Sequence, residues 1–303
     1  MSIVPDALYH MGGVPVISDG VASASMFGNY WFVDNVSGSI SNGGKRVDDA
    51  VSTIAAAVAL AASGDTIFVR GTDTDYDEAV TCALDRVSFI GVAAHPMHLG
   101  WNSDADTSCL TLTGKACLVQ GFFFRPDGAT TGHAINISCT AVIGQGDYTI
   151  IQGNMFKSTG TTCHSAIKAQ DEPIYVKVYN NHFSHVGYAI HSDGSARQIA
   201  TGWEIVGNYF SDQCTNGIYL NLRRSLIAHN YFSTMTVAID TEGASAGASG
   251  YNNVHGNYLG GEYQNSVYKA ASNDDWSGNF SMSDDHATVG ASGITIANPT
   301  TST

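Results

Sequence analysis

A short phrase recurs along the second half of the chain, and its spacing restricts the fold more than any other feature of the sequence. It reads Ile151-Gln152-Gly153-Asn154-Met155-Phe156, Val178-Tyr179-Asn180-Asn181-His182-Phe183, Ile205-Val206-Gly207-Asn208-Tyr209-Phe210 and Ile227-Ala228-His229-Asn230-Tyr231-Phe232. It continues as Val254-His255-Gly256-Asn257-Tyr258-Leu259 and Trp276-Ser277-Gly278-Asn279-Phe280-Ser281. The Asn falls at 154, 181, 208, 230, 257 and 279, at intervals of 27, 27, 22, 27 and 22 residues. A second phrase follows most of these anchors: Ala166-Ile167, Ala189-Ile190, Gly217-Ile218 and Ala238-Ile239. Self-similarity at such a period marks a solenoid, in which each repeat buries its apolar face against its neighbours. Leucine-rich repeats need dense Leu, whereas these segments are β-branched or aromatic and punctuated by Gly, Asn and Ser. The reading is an all-β chain: a single-stranded right-handed parallel β-helix.

In such a solenoid, coils stack at about 4.8 Å and equivalent residues form ladders along the axis. The six Asn are expected to form an inward ladder at a tight turn, where an amide bonds neighbouring coils and Asn tolerates left-handed backbone angles. Phe156, Phe183, Phe210, Phe232, Leu259 and Phe280 are expected to stack behind them in the core, because residues two apart on a strand face one side. Val87-Ser88-Phe89-Ile90-Gly91 and Cys117-Leu118-Val119-Gln120-Gly121-Phe122-Phe123 read as earlier coils.

The period changes between Val47 and Ala62. Val47, Ala50, Val51, Ile54, Val58 and Ala61 follow helical spacing, Asp48 and Asp49 sit in the first turn, and Gly64 stops the run. A capping α-helix there would cover the apolar cross-section of the first coil, with Asp65-Thr66-Ile67-Phe68-Val69-Arg70 as the first full strand. Residues 1–46 then form an N-terminal arm and lead-in strand, 47–282 the capping helix and parallel β-helix, and 283–303 a C-terminal strand and tail, with Ile294-Thr295-Ile296 as the strand.

Composition narrows the function classes. The 303 residues carry 27 acidic and 13 basic side chains, a net charge of −14, and the few basic residues form no run, so a nucleic-acid partner is not expected. The longest apolar stretch, near Ile54 to Ala62, is far short of the roughly 20 residues of a bilayer crossing, and no membrane partner is expected. The first residues, Met1-Ser2-Ile3-Val4-Pro5-Asp6, read as neither a cleaved signal nor a lipid-anchor site. Cys82, Cys109, Cys117, Cys139, Cys163 and Cys214 have no CxxC pair and no zinc spacing, and read as free buried thiols.

One block carries a family resemblance. Trp31-Phe32-Val33-Asp34-Asn35-Val36-Ser37-Gly38-Ser39, Gly43-Gly44-Lys45, Thr53-Ile54-Ala55-Ala56-Ala57 and Gly64-Asp65-Thr66-Ile67-Phe68-Val69 resemble the opening of right-handed parallel β-helix proteins of the pectate-lyase-like superfamily. The versions in tailed bacteriophages carry a short arm similar to Pro5-Asp6-Ala7-Leu8-Tyr9-His10-Met11-Gly12-Gly13. The resemblance implies a structural component of a virion, a capsid decoration or cement protein assembled in the host cytoplasm. Its partners would be the major capsid protein or other virion proteins, and it would form a homo-oligomer such as a trimer. It also leaves open a tailspike-type depolymerase, hydrolase or lyase, or a non-catalytic adhesin, acting on host surface polysaccharide. The Arg-x-Pro-x-x-Arg segment of pectate lyases has no counterpart here, and Asp48-Asp49, Asp274-Asp275 and Asp284-Asp285 lack the setting of the polygalacturonase motifs, so no catalytic residue carries over.

The coil alignment nevertheless nominates a site. Lys168, His191, Tyr219 and Asp240 lie one residue after the repeated Ile, and Gln170, Asp193, Asn221 and Glu242 three after it. Both columns are expected to face outward on one strip. Asp193, Asp240 and Glu242 are the acid and base candidates, and His191, Tyr219 and Asn221 the glycan-binding ones, Tyr219 by stacking on a sugar ring. Asp193 and Glu242 are two coils apart, about 9.6 Å, near the upper limit for an inverting carboxylate pair. The competing reading is a solvated face in which acids happen to stack. His164, His182, His185, His191, His229 and His255 do not fall in one column, so neither a shared metal site nor a cofactor is expected.

Overall fold

The corners of each coil are set by residues with left-handed backbone. In the computed structural model, which describes residues 9–11, 14–16, 28–103, 107–126, 132–139, 144–158, 163–192, 199–211, 214–233, 235–242, 249–259, 268–269, 273–281 and 295–296, one such column is Gly121, Gly153, Asn180, Gly207, His229, Gly256 and Gly278. Each of the last six immediately precedes a ladder Asn. The expectation that the ladder Asn itself would be left-handed is corrected: the residue before it absorbs the turn, and the Asn side chain is left to point inward. A second column, Gly64, Arg86, Ala116, Tyr148, Tyr175, Gly202, Arg224, Tyr251 and Asn273, marks the other tight corner.

Between the corners run three parallel sheets, which together make a parallel β-helix. The first holds ten described strands from Tyr30–Val33 through Thr66–Arg70, Ile150–Gln152 and Lys177–Tyr179 to Asp275–Ser277. The second runs from Tyr76–Asp77 through Met155–Lys157, His182–Ser184 and Tyr209–Phe210 to Asn279–Ser281, where Thr295–Ile296 joins antiparallel. The third includes His133–Ser138, Cys163–Gln170, Val186–Ser192, Asn216–Tyr219 and Val237–Asp240.

The Asn ladder is as the repeat implies. Asn154, Asn181, Asn208, Asn230 and Asn257 donate through Nδ2 to Oδ1 of the next Asn at 3.1, 3.1, 3.0, 3.0 and 2.9 Å. The same Oδ1 accepts the preceding ladder residue's backbone N–H, and Nδ2 also donates to a carbonyl one coil back, such as Val178 O from Asn208 at 2.8 Å. Each buried amide is thus satisfied on both ends, which is the condition for burying it at all. Beside the ladder, the rings of Phe124, Phe156, Phe183, Phe210 and Phe232 stack with centroids 5.2, 4.9, 4.9 and 4.5 Å apart. Phe280 departs from the expected stack. It follows Asn279 by one residue rather than two, pairs with Tyr258 in the outward column and is 45% exposed.

The N-terminal end differs from the sequence reading in detail. The helix spans Ile54–Leu60, and Val47–Asp49 is a separate 3-10 turn. The intervening chain is extended: Val51 bridges Val33, Val51 N donates to Phe32 O and Asp34 N to Val51 O. Thr53 caps the helix by accepting the Ala56 N–H, and its free first-turn amides at Ile54 and Ala55 go to the Glu78 carboxylate at 2.7 and 2.9 Å. Ile54 and Ala57 are buried against Tyr30–Val33, Thr66–Arg70 and Val80–Cys82, as a lid requires. Tyr30–Val33 pairs in parallel with Thr66–Arg70 and precedes it in the first sheet. Asp65 ties the segments together, accepting Asn29 N, Trp31 Nε1 and Ala62 N at 2.6, 2.8 and 2.8 Å. Five cysteines, Cys82, Cys109, Cys117, Cys139 and Cys214, are free and buried.

Candidate functional site

The third sheet positions the strip that the coil alignment nominates. Lys168, His191, Tyr219 and Asp240 are register partners on adjacent strands, preceded by Asn136 and followed by Lys269. In each coil two consecutive residues are buried before this column: Ala166-Ile167, Ala189-Ile190, Gly217-Ile218 and Ala238-Ile239. That pair breaks the strict alternation of a strand and brings Tyr188, three residues before His191, to the same face: their ring centroids are 4.2 Å apart. His164 lies 5.1 Å from His191 and 5.4 Å from Tyr188, and Tyr219 5.8 Å from His191. Ser165 Oγ joins them, 3.3 Å from His191 Nδ1 and 3.1 Å from His164 Nδ1. The site is a cluster of rings held edge to face and stacked, with one hydroxyl bridging two imidazoles.

The expected outward exposure is corrected. His191 is 7% exposed, Asn221 1% and Asp240 0%. His191 is covered by the neighbouring rings. Asp240 lies at a strand end, its Oδ1 accepting the Glu242 N–H at 3.0 Å, while Thr241 is itself buried and donates to Asp274. Glu242 and Tyr219 are half-buried. The Asn221 amide has no hydrogen-bond partner among the described residues, although it is buried. Asp193 lies outside the described residues, so the expected Asp193–Glu242 pair has no described geometry.

The alignment missed a second column. The residue between each ladder Asn and its core ring must face outward by strand alternation, and in order these are Met155, His182, Tyr209, Tyr231 and Tyr258, continued by Phe280. Tyr209 and Tyr231 stack at 4.9 Å with planes 1° apart, and Tyr231 and Tyr258 at 5.4 Å. Burial and the flanking phenols push the Tyr231 hydroxyl above its ordinary pKa, so that hydroxyl stays a neutral donor. The signal was present in the Asn-x-Phe phrase, in the residue between the Asn and the ring.

A parallel β-helix with an N-terminal lid and a ring cluster on one sheet defines a class of architecture rather than one chemistry. The chain is partly similar to several solved structures. The chain is similar to a GH136 lacto-N-biosidase from Eubacterium ramulus at 9% identity and a TM-score of 0.45, over 86% of this chain and 65% of that one. It is similar to the PL6 alginate lyase AlyGC at 16% identity and a TM-score of 0.35, over 74% of this chain and 32% of that one. ORF18 of Geobacillus virus E2 matches at 11% identity and a TM-score of 0.35, over 73% and 54%. The chain thus spans less than two-thirds of each of these proteins. No protein-family model and no curated relative matches the chain.

Proposed function

We propose that this chain is a structural component of a bacteriophage particle, a decoration or cement protein on the capsid exterior, assembled in the host cytoplasm as a homo-oligomer. The observation that carries the reading is the state of the strip. Asp240 is fully buried and holds a backbone turn, and Asn221 and His191 are packed under neighbours. A surface of that kind stiffens the solenoid. An acid or base that works on a polymer needs solvent or substrate within hydrogen-bond reach. The phage-like opening block of the sequence supports the same reading. Finding the intact chain in stoichiometric amounts on purified capsids is the expected result; its absence from purified virions would overturn the proposal.

Glycan binding is the second reading, favoured by the Tyr188, His191 and Tyr219 rings on one face. It covers a non-catalytic adhesin and, through Asp193, Asp240 and Glu242, a depolymerase of host surface polysaccharide. Purified protein incubated with soluble polysaccharides separates these. New reducing ends or unsaturated products, lost in Asp193→Ala or Glu242→Ala, would establish turnover, and retention without products would establish binding alone.

A further inference from the structure

A groove on a different face concentrates cations in a protein whose net charge is −14. It lies on the outer side of the second sheet beside the 3-10 turn Pro96–His98, with a volume of roughly 790 Å³. Met155 supplies an apolar floor beside Phe123, its register partner on the adjacent strand, which is largely buried and has the Arg125 guanidinium 5.7 Å over its ring. Arg125 and Lys157 each stand two residues further along those strands, and His182 and His185 follow on the next coil. Among the described residues, no acidic side chain lines the groove. Asp75 approaches from outside the lining, accepting one Nη1–H of Arg125 at 2.8 Å. Arg125 Nε and Nη2 have no acceptor among the described residues, and Lys157 is exposed and forms no ion pair among them. Burial holds the His182 imidazole below its ordinary pKa, so at neutral pH it is a neutral donor. His185 gives one ring nitrogen to the contact with Ser184 Oγ at 2.8 Å and keeps the other. Asp75 balances Arg125, which leaves Lys157 as the net charge of the groove.

We infer that this groove binds an oxyanion, carboxylate or phosphate, carried on a ring-sized body that rests on Met155 beside Phe123. Arg125 through Nε and Nη2, the Lys157 ammonium and the His182 and His185 imidazoles are donors on residues that line one groove. The guanidinium fork and the ammonium suit oxygen anions, and charge-assisted bonds to them are among the stronger hydrogen bonds. The floor adds contact for a body with an apolar face, which a bare ion lacks, so an anion carried on a ring binds more tightly than inorganic phosphate. The inference does not rest on the virion reading, since this face is separate from the third-sheet strip.

The test is calorimetric titration of the full chain with glucuronate, glucose and inorganic phosphate. Saturable binding of glucuronate and phosphate, with none of glucose, is expected. Lys157→Gln, at an exposed position, is expected to weaken both anions by about tenfold or more at an unchanged melting temperature. Arg125→Gln should weaken them further, and Lys157→Gln alone decides if that variant fails to fold. A soluble polyuronate separates two sources of the ligand: tighter binding per chain than glucuronate assigns the site to a pendant group on a polymer, and equal binding per carboxylate to a free small anion. No saturable anion binding, equal binding of glucose, phosphate bound without glucuronate, or full affinity in Lys157→Gln would each overturn the inference.

Discussion

The Asn corner and the third-sheet strip are both columns of register partners one coil apart, yet they are built by opposite rules. The corner repeats one residue, and every ladder amide from Asn181 to Asn257 gives and receives bonds along the axis. The strip changes residue at each coil, Lys168, His191, Tyr219, Asp240, and its side chains are held by local rings and turns. A repeated polar residue in a solenoid is a structural member, because its partner must be its own copy. A varied column carries no such constraint and is where a particular role, packing or recognition, can be written.

The comparison can be broken in several ways. The largest effect is expected in the stack behind the ladder: Phe210→Ala removes a buried ring between Phe183 and Phe232 and should cost about 3–5 kcal/mol in denaturant unfolding. A loss below 1 kcal/mol would mean the stack is not continuous. Next, Asn208→Ala strips the acceptor from Asn181 and the donor to Val178 O and Asn230, with an expected loss on the order of 3 kcal/mol. Asn208→Asp should not rescue it, since its second oxygen would face two acceptors. A stability equal to the parent in either variant would sink the ladder account.

Acid should act at the lid before it acts at the ladder. Burial alone would raise the Asp34 pKa, but the Ser37 hydroxyl, the Ser37 and Val36 amides and the Arg70 guanidinium hold it at about 2. A carboxylate depressed in the folded state stabilises it above the unfolded value of about 3.9, and that contribution is lost as pH falls from there towards 2. Asp65 is shifted in the same direction: its burial is outweighed by bonds from Ala62, Asn29 and Trp31. Glu78 runs the other way, raised chiefly by burial, so its contribution is present at low pH and lost as pH rises through its folded value. Melting temperatures at pH 7 and pH 2.5 should therefore differ less in Asp34→Asn than in the parent. An unchanged difference would contradict the assignment.

Two smaller effects sharpen the contrast. Gly207 has φ +70° and a Cβ there would sit 2.4 Å from Asn180 Oδ1, so Gly207→Ala should cost about 1–2 kcal/mol by thermal melting. Phe280→Ser, in the outward column, should change stability by no more than about 0.5 kcal/mol, although in the sequence Phe280 looks like the sixth residue of the core stack. A loss matching that of Phe210→Ala would return Phe280 to the core.

That last residue shows where sequence reading holds and where it slips. The Asn period and the Phe stack were legible because a solenoid forces identical neighbours into register. Phe280 was misplaced because the last repeat carries its aromatic one position early, and counting phrases hides a one-residue slip that flips the side chain. The helix reading over Val47–Ala62 ran long for a tertiary reason: Val51 is recruited to the edge of the first sheet, which no helical period announces. The strip was correctly aligned but assigned to solvent, because alternation alone does not foresee the paired Ala-Ile burial or the burial of Asp240. The cationic groove was invisible along the chain, since Arg125, Lys157 and His182 are brought together only by coil stacking.

Hydrogen exchange at the ladder tests the central claim most directly. The backbone N–H groups of Asn154, Asn181, Asn208, Asn230 and Asn257 each donate to the next Asn Oδ1 at 2.9–3.0 Å. They should exchange only through global unfolding, with equal protection along the axis and with all five falling together in Asn208→Ala. Exchange of these amides at the rate of exposed turns, or loss of protection confined to Asn181 in that variant, would contradict a ladder that holds the coils as one unit.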